Sequence, residues 1–120
     1  MRQQEELRNR TKEFAYRVIR LYKALPEKTL PQVIGKQVLR AGTSVGANYR
    51  AVCRARSKAE FIARIAVVAE EADESVFWLE ALADHNILPR KNLEGLIREA
   101  QELTAIFTAA QNTARGHRAN

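Results

Sequence analysis

Two histidines and one cysteine are the residues of this sequence best suited to acid–base, nucleophilic or metal chemistry. His85 and His117 belong to no Glu-x-x-His or His-x-x-x-His pattern of the kind that holds metal ions in helical bundles. Cys53 has no histidine near it in sequence that would activate it as a nucleophile, so we interpret its thiol as a buried or incidental group. The sequence therefore predicts no catalytic residue, metal site or cofactor, and we expect a protein that is not an enzyme.

Four carboxylates crowd the segment between residues 70 and 74. A carboxylate metal site would need acidic partners on a facing helix, and the preceding helical segment offers basic residues instead. We therefore predict that Glu70 and Glu74 face cations such as Lys36 and Arg40, within one chain or between subunits. Such pairs contribute little stability when exposed, but they can determine helix register and partner choice.

Two further sets of side chains admit both a structural and a functional interpretation. The aromatic set is typical of a core or subunit interface, with a base-stacking platform as the alternative; it comprises Phe61, Phe77 and Trp78. The polar set is suited to hydrogen bonds within and between helices, with a polar functional groove as the alternative; it comprises Thr43, Ser44 and Asn48.

Apolar residues recur at helical spacing in four segments that must position these groups. Pro26 ends the first segment, the Ser57-x-x-Glu60 capping box begins the third, and Pro89 separates the third from the fourth. The predicted helices span about residues 3–25, 31–53, 58–84 and 90–114. Short connections between them predict an all-α fold, an antiparallel up-down-up-down four-helix bundle that forms one domain over residues 1–120.

The second helical segment carries a heptad-like seam, interrupted by three glycines. The seam comprises Ile34, Val38, Ala41, Val45, Asn48 and Val52. Gly35, Gly42 and Gly46 each disfavour a helix interior by up to about 1 kcal/mol relative to alanine. We interpret them as small residues that let a neighbouring helix approach closely. The alternative is a break or bend near residues 42–44.

Composition places the chain among ordinary globular proteins. With 120 residues, 46% of them hydrophobic and 28% charged, it is neither disordered nor a disulfide scaffold. The single Cys53 suits a reducing compartment. No apolar segment resembles a signal peptide or a membrane span of about 18 residues. We expect a cytoplasmic protein without a membrane association.

The middle of the chain carries a more specific pattern. An Arg-x-Gly-Thr-Ser-x-x-x-Asn element begins at Arg40, and further segments accompany it: Leu25-Pro26, residues 37–39, residues 57–61, residues 70–75 and residues 78–80. Over about residues 14–110 the chain resembles the four-helix-bundle proteins named after the 23S rRNA intervening sequence. Many members continue after the Asn with Ile-Ala-Glu-Gly, whereas this chain has Tyr49-Arg50-Ala51-Val52, similar to a subgroup with basic residues there.

This resemblance implies a small cytoplasmic bacterial protein that assembles into a ring-like homopentamer. It also implies kinship to the accessory variability protein of diversity-generating retroelements, a basic bundle that contacts nucleic acid and a reverse transcriptase. The family has no established enzymatic reaction, and its name reflects where some of its genes lie.

The net charge of +6 is concentrated at one end of the predicted bundle. This basic pole consists of residues 1–13, 50–60 and 115–120, which hold ten Lys and Arg against four Glu. The middle of the bundle and the opposite pole each hold equal numbers of basic and acidic residues. Arginine clusters suit phosphate, because a guanidinium donates two parallel hydrogen bonds. The candidate nucleic-acid-binding residues are Arg8, Arg10, Lys12, Arg50, Arg54, Arg56, Lys58, Arg115 and Arg118.

Two functions follow as hypotheses. The first is sequence-tolerant binding of nucleic acid, either structured RNA or an RNA–DNA intermediate, through the basic pole. The second is an oligomeric protein-binding scaffold or accessory factor, for example for a polymerase or reverse transcriptase, with no direct contact to nucleic acid. A third interpretation treats the arginines as a solvated surface only. The third helix separately predicts oligomerisation, because it is apolar over more than one face and includes Phe77 and Trp78.

Overall fold

A computed structural model describes residues 2–116, and these residues form four helices joined by short turns. The helices are α1 (Arg2–Lys23), α2 (Thr29–Val52), α3 (Lys58–Asp84) and α4 (Arg90–Ala114). Their ends lie within two residues of the predicted bounds. No strand occurs in the described part of the chain. The prediction of an all-α four-helix architecture is therefore confirmed.

Local signals in the sequence explain where α3 begins and ends. The Ser57 hydroxyl accepts a hydrogen bond from the Glu60 backbone N–H at 3.0 Å, as the capping box predicts. The Glu60 carboxylate accepts from the backbone N–H of Arg56 at 2.8 Å, one residue before the cap. At the other end, Asn86 adopts a left-handed conformation with φ of 56°, and the Ile87 N–H donates to the Leu82 carbonyl.

Each helix packs against its neighbours in chain order, antiparallel to them, and α1 meets α4 along a shorter stretch. The side chains facing the centre form a single apolar core. Its largest fully buried members are Phe14, Ile65, Leu79, Leu82, Leu93, Leu103 and Phe107. Five of the six residues of the predicted α2 seam are buried, and the sixth, Asn48, is half-buried and donates to the Ser44 carbonyl at 2.8 Å.

Glycines bring α1 and α2 together. A Cβ added at Gly42 would lie 2.7 Å from a Val18 methyl carbon, and one at Gly46 would lie 3.1 Å from the Thr11 carbonyl oxygen. Both distances are shorter than an ordinary van der Waals contact, so α1 occupies the space that a side chain would take. The interpretation of close helix approach is confirmed. Because α2 runs unbroken from Thr29 to Val52, the alternative of a break near residues 42–44 is wrong.

Candidate nucleic-acid interface

The α1–α2 register places cations from both helices around one groove. Thr11 lies opposite Gly46, so the residues one turn further towards the pole, Arg8 and Arg50, share the same end of the helix pair. A groove of about 440 Å³, here called the α1–α2 groove, lies between the helices. Its cationic wall is formed by Arg8, Lys12 and Arg50. All three are exposed, and none forms an ion pair within residues 2–116.

The floor of the α1–α2 groove is apolar. It consists of small residues and two larger side chains: Ala15, Gly46, Ala47, Tyr16 and Ile19. Tyr16 is 47% exposed and Ile19 is 38% exposed. The Lys12 ammonium lies 5.6 Å from the centroid of the Tyr16 ring, within cation–π range. Asn9 and Thr43 complete the rim.

A second cavity at the same pole is lined almost entirely by charged groups. This arginine pocket, of about 600 Å³, is bounded by Ala51, Arg54, Arg56, Glu60 and Arg64. Arg54 and Arg56 lie in the turn between α2 and α3, and both are exposed. Arg64 lies one turn after Glu60 on α3. Three guanidiniums surround one carboxylate, so the arginine pocket keeps an excess of positive charge.

Glu60 organises the arginine pocket. One carboxylate oxygen accepts from the Arg56 backbone N–H, and the other accepts from Arg64 Nε at 2.9 Å. The hydrogen bond from the Arg56 backbone, followed by that from Arg64, lowers the pKa of Glu60 below its ordinary value. The carboxylate is therefore ionised at neutral pH and holds the turn before α3 in place.

Arg10 has a different environment from the other predicted binding residues. Its guanidinium donates to both oxygens of Glu99 on α4, at 2.9 and 2.6 Å, and also to Glu102 at 3.0 Å. The hydrogen bond to Glu99 raises the pKa of Arg10, against the opposing effect of burial. Arg10 thus joins α1 to α4 and lies on the side of α1 away from the α1–α2 groove.

Two further predicted cations, Lys58 and Arg115, lie at the same pole. Lys58 is the first residue of α3 and Arg115 follows α4, and both are exposed. Arg118 lies outside the described residues. The structure brings Arg8, Lys12 and Arg50 together in one cavity, and Arg54 and Arg56 in another.

The predicted set lacks several residues that line these cavities, among them Arg64, Asn9 and Tyr16. Arg64 lies outside the residue ranges that define the basic pole, although its spacing of four from Glu60 indicates a pair on one helix face. Asn9 and Tyr16 carry no motif of their own. Only the packing of α1 on α2 places them beside Arg50.

Of the residues considered for catalysis, the structure describes His85, which follows α3, and Cys53, which follows α2. His85 Nδ1 lies 2.9 Å from the Ala81 carbonyl oxygen, and Cys53 is half-buried. His117 is outside the described residues. Tyr49 packs against the Phe107 ring at 5.3 Å, and burial, together with the neighbouring Cys53, raises the pKa of Tyr49 to about 12. Within residues 2–116, no three His, Cys, Asp or Glu side chains are grouped to hold a metal ion.

The acidic run pairs with α2, with one change from the prediction. Arg40 donates to Glu74, as predicted, and to Glu71 at 3.2 Å, where we predicted Glu70. Glu71 and Glu74 share a helix face three residues apart and are both half-buried, whereas Glu70 is exposed and forms no ion pair with Arg40. The Trp78 indole N–H donates to Glu74 at 3.3 Å.

The three aromatic residues of α3 divide between core and surface. Phe61 and Trp78 pack partly buried against the core, in agreement with the structural interpretation. Phe77 is 61% exposed and meets the Trp78 ring edge-on at 4.9 Å. Among residues 2–116, no helix is long and apolar enough to cross a lipid bilayer.

Comparison with known proteins accords with this architecture. None of the curated proteins compared with the chain matches it. A crystal structure of a protein of unknown function from the S23 ribosomal protein family of Bacteroides thetaiotaomicron is 33% identical, with a TM-score of 0.81. The match covers 88% of this chain and 97% of that one. The profile of the 23S rRNA-intervening sequence protein matches residues 3–109. With this match over most of its length, the chain belongs to the 23S rRNA-intervening sequence protein family.

Proposed function

We propose that this protein is a non-enzymatic RNA-binding protein that contacts phosphates through its basic pole. One observation carries the proposal: four arginines, Arg8, Arg50, Arg54 and Arg56, lie exposed at one end of the bundle without an ion pair among the described residues. A carboxylate that held these guanidiniums would compete with phosphate. Because no carboxylate within residues 2–116 pairs with them, these four guanidiniums are open to a ligand.

The physical basis of binding is sequence-independent. Each guanidinium can donate two parallel hydrogen bonds to phosphate oxygens, and each neutralised phosphate releases condensed counterions. The two cavities at the pole differ in volume and lining, so they suit a folded or bent strand better than a straight duplex with uniform grooves. Structured RNA is therefore the proposed ligand class, and duplex DNA is the weaker competitor.

The proposal includes assembly as a homopentamer in the cytoplasm, as the family resemblance implies. A ring of five chains would repeat the basic pole around one face and add the charges of all five copies. Repetition raises affinity through multivalency even where one pole binds weakly.

The decisive experiment is a salt titration with charge-matched variants. Fluorescently labelled structured RNA is titrated with the wild type, with Arg50→Ala/Arg54→Ala/Arg56→Ala, and with Lys23→Ala/Lys28→Ala/Lys91→Ala at the opposite pole. All six residues are exposed, so both triple variants remove the same charge. Three lost phosphate contacts should reduce the slope of log affinity against log salt by about 2 to 3 in the arginine variant alone.

Absence of binding at low salt, or equal losses in both triple variants, contradicts the proposal. Equal losses would mean that net charge, rather than the basic pole, attracts the RNA.

Exposed apolar side chains favour the second candidate function, an oligomeric scaffold that recruits a protein such as a polymerase or reverse transcriptase. Val33 is 55% exposed and Phe77 is 61% exposed. A pull-down after nuclease treatment separates the two functions. One protein recovered in stoichiometric amount, with no RNA binding by the purified chain, favours the scaffold.

A further inference from the structure

The α1–α2 groove has cations at one end, as a phosphate-binding surface requires. It also has two features that such a surface does not require, an apolar floor and an aromatic ring beside the cations. Its volume of about 440 Å³ falls within the range of small-molecule sites, whereas phosphate contacts on a duplex are made by an open surface.

Packing of the helices requires small residues in part of the floor. Gly46 can carry no larger side chain without pressing on the Thr11 carbonyl, and Ala15 lies beside it with only a methyl group. The part of the floor formed by Ala15, Gly46 and Ala47 leaves room for a planar ring beside the exposed side chains of Tyr16 and Ile19.

The cations lie where the phosphate of a ligand would be if its planar ring were bound in the groove. Lys12 is over the Tyr16 ring, so a phosphate held by Lys12 brings its attached group within reach of the same ring. Arg8 and Arg50 line the same cavity, and no carboxylate is among its lining residues. The amide of Asn9, which makes no side-chain hydrogen bond within residues 2–116, can both donate to and accept from a polar ring edge.

We propose that the α1–α2 groove is a nucleotide site that holds one unpaired nucleotide, with its phosphate on Arg8, Lys12 and Arg50 and its base against Tyr16. The nucleotide comes either from a single-stranded stretch of RNA or from a free nucleoside monophosphate, which share this chemistry. The first source rests on the proposed RNA-binding function and makes it more specific: the protein selects unpaired over paired strands, since bases inside a duplex cannot reach an aromatic side chain.

The test combines variants of the protein with variants of the ligand. Tyr16→Leu keeps an apolar side chain but removes the ring, Tyr16→Phe keeps the ring, and Tyr22→Leu makes the same substitution outside the groove. Each is titrated with a single-stranded RNA, with the same strand carrying abasic positions, with a duplex of equal charge and with adenosine monophosphate. Circular dichroism checks that every variant is folded.

For the single strand, Tyr16→Leu should weaken binding about tenfold, while Tyr16→Phe and Tyr22→Leu bind as the wild type does. Affinity for the duplex should not change in any of the three variants. Abasic positions should weaken binding to the wild type by a similar factor and should cost nothing further in Tyr16→Leu, since the interaction that they remove is already lost.

Two results overturn the nucleotide site while leaving the proposed function intact: unchanged binding of the single strand by Tyr16→Leu, or equal loss on single strand and duplex. If no RNA binds but adenosine monophosphate does, with loss in Tyr16→Leu, the groove takes a free nucleotide and the proposed function is wrong. If neither ligand binds, both proposals are overturned.

Discussion

Arg10 on α1 and Glu99 on α4 form a two-pronged pair, with Arg10 Nε 2.9 Å from one carboxylate oxygen and a terminal nitrogen 2.6 Å from the other. The pair lies where α1 and α4 meet along a short contact. Because apolar packing between these two helices is limited, the two hydrogen bonds help to fix the orientation of α1 relative to α4. It also removes one cation from the set available to a ligand.

Replacement of Arg10 should therefore affect stability more than RNA binding. We expect Arg10→Gln to reduce the free energy of unfolding by about 1 kcal/mol, because charge-assisted hydrogen bonds are lost from a partly exposed site. Arg8→Gln makes the same charge change in the α1–α2 groove and should instead weaken RNA binding with little change in stability. Urea denaturation and RNA titration of both variants measure the two effects. The reverse pattern would show that Arg10 belongs to the binding surface.

The glycine contact between α1 and α2 predicts opposite effects for two alanine substitutions. Gly42→Ala places a methyl group 2.7 Å from a Val18 methyl carbon, so the helices must separate, at a net cost of about 1 to 2 kcal/mol. Gly95 is an exposed residue of α4, and a methyl group there would meet only the end of the Arg17 side chain, at 3.2 Å. Gly95→Ala should stabilise the protein by about 0.5 to 1 kcal/mol through helix propensity. Thermal unfolding of both variants tests the pair, and a stabilised Gly42→Ala would refute the close approach.

Glu60 predicts a dependence of stability on pH. The folded state lowers its pKa below the ordinary 4.5, so its contribution is present above that pH and disappears as the pH falls through the folded value. Wild type should exceed Glu60→Gln in Tm at pH 7, and the difference should close below about pH 4.5. Glu94→Gln removes the same negative charge at an exposed position on α4 and is the control for the change in net charge. A Tm difference that stays constant down to pH 3 would contradict this role of Glu60.

The proposed pentamer predicts a role for the exposed ring of Phe77. A large apolar side chain that is 61% exposed is stabilised when a second chain covers it. In multi-angle light scattering we expect the wild type at about five times the chain mass of 13.6 kDa, and Phe77→Glu at a lower mass. Ala105→Glu, exposed on α4, is the control for added charge. A wild type that is monomeric at micromolar concentration would disprove the assembly.

Local signals in the sequence determined most of the fold. The helical period of apolar residues, the prolines and the Ser57 capping box place the four helices almost where they are observed, because each signal acts within one turn of helix. The same signals identify one end of the bundle as basic, since short turns force neighbouring helices to be antiparallel.

Tertiary structure decided which charges are paired and which are open. Arg8 and Arg10 are two residues apart in sequence, yet Arg8 lines the α1–α2 groove and Arg10 contacts Glu99 on α4. Likewise Arg40 pairs with Glu71 rather than with Glu70. Adjacent helical positions differ by about 100° in direction, so a small rotation of a helix about its axis changes the partner of every side chain on it. That rotation depends on contacts between helices, such as Gly42 against Val18, which lie far apart in sequence.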